Sequence, residues 1–144
     1  MAGVRRVTRL ILRYVFPLYA IAVVLQVYFA GEGIFGDRDK EVIIKEGDSL
    51  DLHRDFGFFI GQPIALLLLI AALLAWYTDK RIRWLAIATP ILLIIQSLLP
   101  PAGRWVAALH PVNAFLILGI LVYLSWALWG GRAAVEEAPP AAPV

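Results

Sequence analysis

Four stretches of this chain, near residues 10–30, 56–77, 84–99 and 111–129, are apolar over the length needed to cross a hydrocarbon core, about 20 helical residues. Lipid offers no hydrogen-bond partner to a bare backbone, so each crossing must satisfy its own N–H and C=O groups, and a helix does so within one segment. The expected fold is an all-α membrane protein, a four-helix transmembrane bundle. With 61% hydrophobic residues and a mean hydropathy of +0.78, the 144-residue chain is far more apolar than a soluble domain. The crossings use most of its length. We expect a transmembrane domain over residues 1–132 with an outer loop at 31–55, no separate soluble catalytic domain, and a tail at 133–144 whose Ala, Pro and Glu content predicts disorder.

The third stretch is short, and Ile82 with the aliphatic stem of Arg83 is expected to lengthen it. Prolines 17, 63, 90 and 111 fall in or at the start of the four segments, with kinks expected at Pro63 and Pro90. The first segment reads as a retained anchor. Its apolar run is long for a leader, and Tyr28 stands where cleavage after Ala30 would want a small residue.

Charge orients the segments. Arg5, Arg6, Arg9, Arg13, Lys80, Arg81, Arg83 and Arg132 fall on one side, against only Asp79, Glu136 and Glu137. The other side carries five bases (Arg38, Lys40, Lys45, Arg54, Arg104) against eight acids: Glu32, Asp37, Asp39, Glu41, Glu46, Asp48, Asp51 and Asp55. The base-rich side is expected to be cytoplasmic, which puts both termini inside in a multi-pass inner-membrane protein. Tyr14, Trp76, Tyr77, Trp84, Trp126 and Trp129 are expected to form the inner aromatic belt, and Tyr28, Phe58 and Trp105 the outer one. A formal net charge of +2 gives no reason to expect nucleic acid as a partner.

His53 and His110 are the two histidines of the chain, and both open even-numbered segments at the outer side. Asp51-Leu-His-Arg-Asp-Phe-Gly57 and Ala108-Leu-His-Pro-Val-Asn-Ala114 resemble each other, and Gln26 and Gln96 each lie about a turn before the end of an odd segment. The hairpins thus read as copies related by an axis along the membrane normal, which would carry one imidazole onto the other. Two neutral imidazoles facing each other across a bundle fill the axial positions of a b-type haem. Gly57 and Gly61 share the helix face of His53 and Ala114 lies below His110, which leaves little side-chain bulk beneath either ring. Haem iron held by His53 and His110, with Gly57, Gly61 and Ala114 lining the ring and Arg54 and Arg104 meeting the propionates, is the expected site. Asp51 or Asp55 is the expected acceptor for a ligand Nδ1.

Each feature has a plainer reading. Gly-xxx-Gly is a helix-packing motif, an interfacial histidine can be solvated or cap a helix, and Arg54 and Arg104 can balance nearby acids or lipid phosphate. Gln26, Gln96 and Asn113 can bond between helices instead of meeting a porphyrin or quinone edge. Zinc would want about three or four protein ligands, and Asp51 and Asp55 are the acids near enough in sequence to help. With no cysteine in the chain, thiolate sites, iron–sulfur clusters and thioether-linked haem are excluded. The loop from Gly31 to Leu50 contains no nucleophile–base pair and no phosphate-cradling motif; residues 40–48 suggest a short hairpin or an interfacial turn that covers the site.

The His-Arg and Leu-His-Pro-Val-Asn motifs, 57 positions apart on the second and fourth segments, resemble one four-helix half of haem A synthase. They are also similar to those of an uncharacterised family of small bacterial four-helix membrane proteins. The first resemblance implies histidine ligation of haem on alternate helices. It departs where the synthase has a glutamate three residues before the first histidine, a position held here by Leu50, and in lacking cysteines and the second half. The expected activity is therefore membrane electron transfer on haem b rather than enzymatic modification of haem. A non-catalytic, cofactor-free subunit or scaffold of a larger complex is the alternative. A quinone or redox protein, and a homo-oligomer, are the partners compatible with either reading.

Overall fold

The computed structural model describes residues 2–35 and 50–130. Within them four helices have membrane-spanning length and apolarity: α1 (Ala2–Phe35), α2 (Asp51–Ala75), α3 (Lys80–Leu98) and α4 (Arg104–Trp129). The expected hairpin at 40–48 and the tail at 133–144 lie outside the described residues. The protein is an all-α, multi-pass membrane bundle. Neighbours in sequence pack side by side and α4 closes the ring against α1, so α1 and α3 lie on one diagonal and α2 and α4 on the other.

Helix ends depart from the apolar boundaries for local reasons. Arg5, Arg6 and Arg9 are good helix formers, and α1 continues through them. The first turn of α2 takes in Asp51, so His53 lies inside a helix rather than before one. At the start of α3 the Asp79 side chain accepts from the Arg81 N–H at 2.8 Å and the Ile82 N–H at 3.1 Å, which satisfies two of the donors a helix start leaves free. Asp79→Ala is expected to lower stability by about 1 kcal/mol, read as a fall in the melting midpoint in detergent. At its other end α3 passes through a 3-10 turn, Pro100–Ala102, to Gly103, whose φ of 100° starts α4. Positive φ is costly for residues with a Cβ.

The two hairpins repeat in register. Leu12, Phe16, Tyr19 and Val23 are buried in α1, and Ile82, Ala86, Thr89 and Leu93 are buried in α3, each 70 positions later. In the even helices Ile60 corresponds to Ile117 at a step of 57, whereas Ala65, Leu68 and Ala72 correspond to Leu121, Leu124 and Leu128 at a step of 56. The lost position falls in a π-helical turn, Ile60–Ile64, where one extra residue is accommodated without moving the buried face on either side.

Pro63 sits in that turn and has no N–H to give. Tyr19, 5% exposed, donates its hydroxyl to the Ile60 carbonyl, and Gln62 donates to Ser97 Oγ. These bonds come from the flanking helices α1 and α3. Pro90, by contrast, is carried inside an unbroken, buried stretch of α3, so the departure from α-geometry expected at both prolines occurs at Pro63. The far end of α2 stops at Trp76, which adopts a left-handed conformation with φ 38°. Arg9 closes that end by donating from Nε to Ala75 O and from Nη2 to Trp76 O, both at 2.9 Å. Tyr77 turns inward to 1% exposure instead of joining the aromatic belt.

Candidate functional site

His53 and His110 come from the diagonal helices α2 and α4 and meet across the bundle, with ring centroids 6.1 Å apart and planes inclined by 72°. Each ring is held by a glutamine of an odd helix. His53 Nδ1 lies 3.0 Å from the backbone carbonyl of Gln26, whose side-chain Nε2 donates back to the His53 carbonyl at 2.9 Å. His110 Nδ1 lies 2.9 Å from the carbonyl of Gln96, whose Nε2 donates to the His110 carbonyl at 2.9 Å. The two clasps are copies of one another. A carbonyl can only accept, so each ring donates from Nδ1, which in the neutral imidazole leaves the lone pair on Nε2.

These acceptors correct one expectation. Asp51 and Asp55 do not hold the ring protons; Asp51 instead pairs with Arg54 on its own helix. The expected propionate partners therefore have other neighbours in the structure, Arg54 this carboxylate and Arg104 the ring of Trp105, 5.7 Å from the guanidinium carbon. Both side chains are exposed, at the same end of the bundle as the histidines.

The glycines near His53 are used for helix approach. A Cβ on Gly57 would collide with Gln26 Nε2, and one on Gly61 would sit 3.3 Å from the Leu93 carbonyl and 3.5 Å from Ser97 Cβ. Gly57 thus leaves room for the Gln26 clasp, and Gly61 lets α2 close on α3. Ala114 is half-buried on α4. Asn113 donates to Gln96 Oε1 at 2.7 Å and to Leu92 O at 3.0 Å. The equivalent position in the first copy is Phe56, packed edge-on against Phe29 at 5.6 Å, and Gln26 Oε1 is buried with no hydrogen-bond partner. The second clasp is braced and the first is not.

Among the described residues no group of three or more His, Cys, Asp or Glu side chains converges as a metal site. The arrangement is instead a two-nitrogen site. Fold and site together define a small four-helix membrane protein in which an internal repeat brings one clasped histidine from each half to a common point. The chain belongs to a family described as a family of unknown function (DUF6220), whose model matches residues 26–103. That match takes in Gln26, His53 and Gln96 and ends short of His110. No curated protein and no solved structure matches the chain.

Proposed function

We propose that His53 and His110 bind one b-type haem between them, near the outer face of the membrane, and that the protein carries electrons within the bilayer. The observation that carries this reading is the spacing of the two rings together with their common tautomer. An iron between two facing Nε2 atoms, at the roughly 2.0–2.1 Å usual for imidazole nitrogen on a metal, requires centroids about 6 Å apart, and the rings lie at 6.1 Å. Their 72° inclination is compatible, since each plane can turn about the nitrogen–metal axis. No described residue donates to or accepts from either Nε2, so neither of these nitrogens is engaged by a described side chain or carbonyl. The resemblance of the histidine motifs to a haem A synthase half points the same way.

When bound, haem would supply a one-electron couple, and His53 and His110 are the residues that would hold it. The protein's part would be to aim both imidazoles through the Gln26 and Gln96 clasps, each with Nδ1 on a backbone carbonyl and Nε2 left for the iron. Ala114 adds little bulk to α4 below the His110 ring, whereas the space at Gly57 and Gly61 is taken by Gln26 and α3; Arg54 and Arg104 are cations at that end for the propionates. The concentration of arginines at the other end supports a cytoplasmic placement for it.

A pyridine haemochrome assay on the purified protein tests the reading, with about one haem b per chain expected under two-ligand binding. A colourless, well-folded protein would leave a membrane subunit without cofactor.

A further inference from the structure

The repeat that places the histidines also places two arginines at the opposite end of the bundle. Arg13 and Arg83 stand at the same 70-position step as Gln26 and Gln96. Each is laid on a tryptophan of an even helix or its end: the Arg13 guanidinium carbon is 4.3 Å from the Trp129 ring centroid, and that of Arg83 is 4.8 Å from Trp76. The platforms are themselves fixed. Trp129 donates from its indole N–H to the Arg13 carbonyl at 2.9 Å and is braced by the edge of Tyr14 at 5.3 Å. Trp76 takes its left-handed conformation beneath the two carbonyl bonds made by Arg9.

Among the described residues neither guanidinium has a counter-ion. Nε of Arg13 and Nε of Arg83 are both buried without a hydrogen-bond partner, and no described carboxylate pairs with either side chain. Asp79, the nearest acid in sequence to Arg83, accepts from the start of α3. A half-buried cation at a membrane boundary, stacked on an indole and unpaired, is costly unless an anion completes it. Arginine on an aromatic ring keeps an edge able to take a phosphate through two parallel hydrogen bonds, and lipid phosphates lie at this depth.

We infer that Arg13 and Arg83 form two equivalent sites, one on each half of the repeat, for the phosphate of an anionic phospholipid. This inference does not depend on haem. Native mass spectrometry of the intact protein, after delipidation and addition of phosphatidylglycerol or phosphatidylcholine, tests it. Two phosphatidylglycerol molecules are expected to be retained preferentially. Arg13→Gln and Arg83→Gln should each weaken one of them on the order of tenfold, as loss of one charge-assisted hydrogen-bonded contact predicts. Arg13→Lys and Arg83→Lys, which keep the charge and control for folding, should retain more lipid than the Gln variants. Equal retention of the two lipids, retention unchanged in both Gln variants, or displacement of phosphatidylglycerol by millimolar inorganic phosphate would overturn it, the last by identifying a free-anion site.

Discussion

Gly61→Leu is expected to destabilise the bundle by about 3 kcal/mol or more, the upper range for overpacking a closed contact. Gly61 is buried in the π-helical turn of α2, and even a Cβ there stands 3.3 Å from a backbone carbonyl of α3. A backbone oxygen inside an unbroken helix cannot step aside as a side-chain tip can, so α2 and α3 must separate. Separation would also strain the Gln62 to Ser97 hydrogen bond between the same helices. Gly119→Leu is the control: Gly119 is exposed on α4 with nothing within 4 Å of its Cβ position, and there the added side chain meets lipid. Denaturant or thermal unfolding in one detergent, followed by helical circular dichroism, should separate the two variants clearly; equal midpoints would show that α2 and α3 are not in close contact at Gly61.

The second large effect is expected at the braced clasp. Gln96→Leu removes the donor to the His110 carbonyl and also the acceptor of Asn113 Nδ2, leaving two half-buried groups short of a partner. At about 1–3 kcal/mol for each unsatisfied group, the loss should be roughly twice that of Gln26→Leu. Gln26 gives one bond to His53, and its Oε1 has no partner to lose. The ring acceptors are main-chain carbonyls, so both variants keep an acceptor for Nδ1 and should retain the histidine tautomer. Equal losses in the two variants would mean that Asn113 does not brace the second copy.

The helices were readable because burial in lipid demands a run of apolar residues whatever the packing, and α1 to α4 enclose all four apolar stretches almost entirely. The histidine pair was readable for a related reason: few residues of that chemistry occur, and their position on alternate segments at one depth survives any rotation of the helices. What held the rings was not readable. Their acceptors are the carbonyls of Gln26 and Gln96, and a backbone carbonyl has no residue signature, so the nearby acids Asp51 and Asp55 looked the better choice. Gly57 and Gly61 were seen as small, but which neighbour uses the space depends on the third dimension: Gln26 takes one and α3 the other. The π-helical turn left only a one-residue change in the step between α2 and α4, which shows once the buried residues are known.

The proposal that two helices share one haem iron is tested most directly by the reduced-minus-oxidised spectrum of the purified protein, taken beside those of His53→Ala and His110→Ala. A low-spin b-type spectrum in the parent, lost or converted to high spin in both variants while helical content holds, is the expected result. A parent spectrum that survives unchanged in either variant, or no haem spectrum at all, would contradict it.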